Sequence, residues 1–186
     1  SSMVVVVDTN RPGMTECEEL LHVAKTIVVL DHHRQSSDNI DNALLSYIEP
    51  YASSACEKVS EVLQYIVDDI KIPNLEASSL YAGIMIDTNN FMNKTGVRTF
   101  EAAAFLRRSG ADITLVRKMF RDDMESYRAK AQIISSAEVY HNKYAIARGE
   151  NLTIESPTII GAQAANELLN INEVKASFVL TTYNGR

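Results

Sequence analysis

Two short β-branched runs, Val4-Val5-Val6-Val7 and Thr26-Ile27-Val28-Val29-Leu30, constrain this chain more than any other feature. Each predicts a buried strand. Each is followed at once by polar chemistry, Asp8-Thr9-Asn10 after the first and Asp31-His32-His33 after the second. One helical pattern lies between them, so the unit is strand, helix, strand, with its two strands parallel. Parallel strands bring their C-terminal ends to one edge, where ligands bind in open α/β sheets. Asp8 is then expected beside Asp31, His32 and His33. A third apolar segment around Ile84-Met85-Ile86, predicted helical, ends in Asp87-Thr88-Asn89. Three apolar segments that end in carboxylates or imidazoles predict one assembled site.

The remaining pattern fills in the architecture. Arg11-Pro12-Gly13 predicts a turn, and Thr15 with Glu18 has capping-box spacing for a helix running to about Lys25. Residues 44–48 predict another strand, closed by Pro50. Ser54 and Glu57 repeat the capping-box spacing, ahead of a helix with Val59, Val62, Leu63, Ile66 and Val67 on one face. Asn74 is the expected cap of a buried helix from Leu75 to about Ile86. A carboxylate at that helix's end, Asp87, is disfavoured by the helix dipole, which a neutralising cation would reverse. Helices are predicted at 100–108, stopped by Gly110, at 113–120, capped by Asp112, and at 124–136. A hairpin at 139–147, a helix at 158–169 and a strand at 178–183 complete the chain. The expected fold is α/β. A parallel-sheet domain with flanking helices occupies 1–120, a connector helix 121–137, and a smaller, partial α/β domain 138–186. A chain that opens on one core strand and stops just past another is expected to belong to something larger.

Charge narrows the function. With 24 acidic against 18 basic residues and a formal net charge of −6, a general binder of long nucleic acid is excluded, because that needs a basic surface. A small phosphorylated ligand, its charge met locally by bound cations, is not excluded. No apolar run approaches the roughly 20 residues of a membrane helix, and no signal peptide is visible. The expectation is a soluble cytoplasmic domain with no membrane contact of its own. Cys17 and Cys56 form no C-x-x-C pair and are expected as buried, reduced thiols.

Carboxylates and imidazoles without thiolates suit Mn²⁺ or Mg²⁺-type sites, or carboxylate-rich zinc and iron sites. Asp8, His32 and Asp87 are the expected ligands. Two such ions about 3.5–4 Å apart clamp a phosphoryl group and generate hydroxide between them. His33 is left to contact phosphate or relay a proton, and Asp31 to fix an imidazole tautomer from behind. Arg11, directly after Asp8-Thr9-Asn10, is a candidate phosphate contact. Asn10 and Asn89 either join the site or only close turns. His22 and His141 are read as structural, Arg98, Arg107 and Arg108 as solvated helix charges, and Asp122-Asp123 as helix caps.

These residues carry a resemblance. Val7-Asp8-Thr9-Asn10-Arg11-Pro12, Leu30-Asp31-His32-His33-Arg34 and Ile86-Asp87-Thr88-Asn89-Asn90-Phe91 resemble the motifs of the DHH phosphoesterase superfamily, nearest its GdpP/YybT-like group of cyclic-di-AMP phosphodiesterases. The likeness continues through 95–103 and 106–112, and into what resembles a partial DHHA1 domain after the connector helix. It implies that Asp8 bridges two metals, that His32 and Asp87 bind the second, that His33 faces the phosphate, and that Asp31 supports the triplet. It also implies Mn²⁺, two ions per intact site, with Mg²⁺ or another divalent ion as the alternative. The implied reaction opens cyclic di-AMP to 5′-pApA, with Asn10, Arg11 and His33 toward the substrate. The alternatives are hydrolysis of short linear adenine nucleotides, as in oligoribonuclease/pAp-phosphatase-like enzymes, and a non-catalytic nucleotide-sensing module. A homodimer, and membrane and sensory domains upstream in a parent protein, are further implications. Two family features are missing: a His followed by Asp-x-Asp, which would precede Ser1, and a Gly-Gly-Gly-His loop, which would follow Arg186. By itself the polypeptide is therefore expected to be inactive or impaired.

Overall fold

A computed structural model describes residues 2–66, 69–149, 154 and 156–182 of the chain. The fold is α/β, and its contacts divide it into two compact units, Ser1–Met119 and Phe120–Arg186.

In the first unit, β1 (Met3–Val7), β2 (Thr26–Asp31) and β3 (Leu45–Ile48) form a parallel sheet in the order β1-β2-β3. The β-branched runs are the strands, and each strand pairs with the next in the chain. The register sets Val7 opposite Leu30 and Asp31 opposite Ile48. Val6, Ile27 and Val29 pack with Leu21 of α1 (Glu19–Val23) and with Ile40 of the segment joining β2 to β3. Helix α1 is shorter than its sequence signals predict, and the predicted capping box does not form. The Thr15 hydroxyl instead donates back to the Pro12 carbonyl at 2.6 Å and closes a 3₁₀ turn over Pro12–Met14, while Glu18 makes no side-chain cap bond.

Four helices complete this unit: α2 (Ala55–Ile66), α3 (Asn74–Asp87), α4 (Val97–Arg108) and α5 (Ile113–Met119). At α2 half of the predicted capping box forms. Ser54 Oγ accepts from Glu57 N at 3.0 Å, but the Glu57 carboxylate accepts from Ser53, Oγ at 2.5 Å and N at 3.2 Å. The expected apolar face of α2 is also not its most buried one. Val59, Val62 and Leu63 are half-buried and Ile66 is exposed, whereas Ala55, Glu57, Lys58 and Ser60 are buried; Val67 lies outside the described residues. Charged groups with polar partners occupy the inward side, which apolar periodicity does not detect.

Pro73, not Asn74, is the cap of α3. The Asn74 side chain lies against Gly110, whose φ of +103° and lack of a Cβ permit the close approach. Ala77, Ile84, Ala102, Leu106 and Ala111 form the core between α3 and α4. Asp112 caps α5 as predicted, with Oδ1 accepting from Thr114 N and Leu115 N. Cys17 and Cys56 are both free thiols, but Cys17 is exposed, contrary to the expected burial, and Cys56 is half-buried.

In the second unit, α6 (Met124–Ser135) starts at Asp123, whose Oδ1 accepts from Glu125 N and Ser126 N. It packs on α7 (Pro157–Leu168) and on β5 (Tyr144–Gly149). β4 (Glu138–Tyr140) pairs antiparallel with β5 across a hairpin in which His141 and Asn142 take φ of +49° and +54°, the left-handed pair a tight turn requires. The chain returns through α7 to β6 (Ala176–Thr181), parallel to β5. Ile133, Ala145, Ala147, Ile160, Ala164 and Leu168 make the core of this unit. The C-terminal part of the predicted last strand, at Tyr183, lies outside the described residues. Among the described residues no helix is long and apolar enough to cross a membrane.

Candidate metal centre

The site assembles from three elements of the first unit. Asp8 follows β1 directly and takes φ of +65°, a left-handed conformation that Asp tolerates better than most residues. Its N–H donates to Leu30 O at 3.1 Å, which fixes it beside the end of β2. Asp31 ends β2, and His32 and His33 turn out from the sheet edge. Asp87 is the last residue of α3.

These groups converge on His32. Its Nε2 lies 3.2 Å from Asp8 Oδ1 and 3.7 Å from Asp87 Oδ2. Donor atoms that share one cation at about 2.1 Å lie roughly 3.0–3.5 Å apart, so the spacing and the N/O donor set suit a divalent ion. Asp8, His32 and His33 also offer donor atoms that all lie within 4.8 Å of one another. His33, not Asp87, completes that group of three, and its ring stands 4.4 Å from that of His32. Burial pushes the Asp87 carboxyl above its ordinary value; nearby His32 pulls it down and the Asp8 charge adds to the rise. A bound cation would relieve that cost.

Asp31 braces the triplet from behind and is fully buried. Its Oδ1 accepts from His32 N at 2.8 Å and His33 N at 3.1 Å, and meets His33 Nδ1 at 2.8 Å. An ionised carboxylate only accepts, so in a neutral His33 ring Nδ1 carries the proton and Nε2 the lone pair. Oδ2 accepts from Asn10 Nδ2 at 2.6 Å. Burial alone would raise Asp31; the bonds from His33 and Asn10 more than offset it and hold the carboxyl low.

Asn10 is buried, with its amide turned inward onto Asp31, while its Oδ1 has no partner among the described residues. Asp8, Asn10, Arg11, Asp31 and His33 line a cavity of about 260 Å³, with exposed Arg11 among its walls. Asn89, at φ +47°, lies in the turn after α3. His22 is exposed on α1, and His141 is exposed in the hairpin turn of the second unit.

One sequence-based expectation is corrected near this site. Arg98 is not a solvated helix charge. Its Nε and Nη2 donate to Glu61 at 2.6 Å each, and its Nη1 and Nη2 donate to Glu49 at 2.6 and 2.8 Å. The partners lie 37 and 49 residues away, so no local spacing signals them. Lys58, with no exposed side-chain surface, sits 3.2 Å above the Tyr47 ring and 3.5 Å from Glu49.

Comparison with known proteins gives a family and a fold. The family described as DHH family, N-terminal domain, matches residues 2–84. Cyclic-di-AMP phosphodiesterase PdeA of Listeria monocytogenes is 43% identical over 180 residues, covering 97% of this chain and 27% of the relative. Cyclic-di-AMP phosphodiesterase GdpP of Geobacillus thermodenitrificans is likewise 43% identical over 180 residues, with the same coverage. The chain therefore spans about a quarter of the length of these relatives. Among solved structures, an exopolyphosphatase-related protein from Bacteroides fragilis shares the fold, at a TM-score of 0.76 and 20% identity, over 92% of this chain and 52% of that one.

Proposed function

Because residues 2–84 belong to the DHH family, we propose that this polypeptide is catalytic machinery of a metal-dependent phosphodiesterase that opens cyclic di-AMP to 5′-pApA. The observation that carries the proposal is the convergence of Asp8 and Asp87 on His32 Nε2, from a strand end and a helix end. The DHH family implies divalent metal, and Mn²⁺ is the proposed ion. Asp8, His32 and Asp87 would hold it, with Asp8 available to a second ion. Bound cations would offset phosphate charge and activate water for attack on phosphorus.

The chain's own residues do the rest. Asn10 fixes Asp31, and Asp31 fixes the His33 ring and its tautomer. His33 Nε2, in a half-exposed ring beside the cavity, contacts a phosphate oxygen when protonated and moves a proton otherwise. Arg11, on the same cavity, adds positive charge toward the phosphates. The similarity to cyclic-di-AMP phosphodiesterases PdeA and GdpP supports the substrate. A homodimer and a cytoplasmic location are part of the same proposal.

The test places the chain in a longer polypeptide that restores the flanking family motifs, beside its Asp8→Ala variant. Each is incubated with cyclic di-AMP and Mn²⁺, and the nucleotides are separated by chromatography. Conversion to pApA that disappears in the variant is the expected result. Cleavage of pApA or pAp with cyclic di-AMP intact would overturn the substrate in favour of linear nucleotides. Binding without cleavage would replace the enzyme with a sensing module.

A further inference from the structure

The side chains that hold the proposed metal come from two layers. Asp8 and His32 belong to the sheet edge, whereas Asp87 ends α3. Helix α3 packs on α2, α4 and α5, and α2 in turn meets β2. The gap between His32 and Asp87 is therefore set by how the helical layer seats against the sheet.

Arg98 spans that seam, as Lys58 of α2 does beside it. Arg98, second residue of α4, grips Glu49 and Glu61 with paired donors to both carboxylates. Glu61 belongs to α2. Glu49 follows β3, and its backbone N–H donates to Asp31 O at 3.0 Å, one peptide from His32. A single planar guanidinium thus ties α4, α2 and the sheet edge. Tyr47 joins the tie by donating its hydroxyl to Glu49 Oε2 at 3.1 Å, and Lys58 adds a second cation to the same carboxylate. Lys58 and Arg98 balance Glu49 and Glu61, so the cluster carries no net charge into a half-buried place. Arg98 also lines a cavity of about 780 Å³ with Tyr47, Glu61 and Arg108. Its donors already point at two carboxylates, which makes it an internal tie and not a hook for an outside anion.

We propose that Arg98 is a positioning residue: by clamping Glu49 and Glu61 it fixes the helical layer on the sheet edge and so holds Asp87 within reach of His32. The proposal rests on the metal-holding role assigned above to Asp8, His32 and Asp87. A lysine cannot replace the clamp, because a point charge with one nitrogen cannot serve two carboxylates in paired, coplanar fashion.

The test compares Arg98→Lys with Leu106→Val, a change in the core of the same helix that leaves the clamp intact. Two readouts are taken. Hydrogen exchange on the metal-free protein follows the amides at 84–93, around the end of α3. Titration calorimetry with Mn²⁺ alone gives the affinity. Arg98→Lys is expected to speed exchange at 84–93 about tenfold and weaken Mn²⁺ binding about tenfold, with the far-ultraviolet dichroism retained. Leu106→Val is expected to do neither selectively. Equal effects from both variants, or unchanged exchange at 84–93 in Arg98→Lys, would overturn the positioning role. Faster exchange in Arg98→Lys, with no Mn²⁺ binding even by the unaltered protein, would support the clamp and refute the metal reading.

Discussion

Replacing Glu49 by Gln keeps the shape of the clamp and removes one of its charges. The Arg98 guanidinium, through hydrogen bonds first and charge second, holds the Glu49 carboxyl at about 2 against an ordinary 4.5, although partial burial opposes it. At about 1.4 kcal/mol per tenfold change, that depression is worth about 3 kcal/mol if fully expressed. Glu49 leaves 28% of its side chain in water, and solvent screening reduces the figure to about 1–2 kcal/mol. The sign follows from the direction of the shift. A carboxyl whose value is lower in the folded state stabilises that state above its unfolded value, and the contribution is lost as pH falls from about 4.5 through about 2. Urea unfolding of both proteins at pH 7 and pH 3 measures it. The variant should be about 1–2 kcal/mol less stable at pH 7, with the gap shrinking to under about half by pH 3. A gap equal at the two pH values, or absent at pH 7, would refute the charge argument and leave Glu49 as a neutral packing group.

Other perturbations test other parts of the first unit. Asp31→Asn weakens three bonds to the histidines by removing their charge and sets an amide donor against Asn10 Nδ2; flipping Asn10 would bring its unpartnered Oδ1 into play, so the expected loss is about 1–3 kcal/mol in thermal unfolding. Asp31→Leu, which leaves those donors with no acceptor, should cost more. Gly110→Ala adds a Cβ at φ +103° directly against the Asn74 amide, at a cost of about 1–3 kcal/mol, part of which the double variant with Asn74→Ala should recover.

The strands of this site were legible because a period-free β-branched run followed by Asp or Asp-His-His leaves few alternatives. Parallel pairing then brings Asp8 to His32, and the structure shows the contact at 3.2 Å. Asp87 was legible as an out-of-place carboxylate at a helix end. What could not be read is long-range or bond-specific. Thr15 and Ser54 have the same capping-box spacing, yet Thr15 turns back to Pro12 and Ser54 caps its helix. Spacing states which bonds are possible, and the local backbone path decides between them. The inward side of α2 was misread because Glu57 and Lys58 are buried by partners outside the helix, Ser53 for one and Glu49 for the other. Arg98 fails to stand out for the same reason. Asn10 was read as a substrate contact or a turn residue; its inward turn onto Asp31 depends on the β1–β2 register, which composition does not state.

The sheet order β1-β2-β3, in which every strand pairs with its successor, also has a kinetic side. Each pairing closes a short loop, and the three strands and Asp8, His32 and His33 are complete within the first 48 residues. On a ribosome or during refolding, this edge would form while α3 is still unmade. Asp87 then arrives last, carried in by a helix that needs α4 and α5 to seat. Asp8 and His32 would wait together for Asp87, and divalent ion present during refolding should chiefly accelerate this late docking of α3.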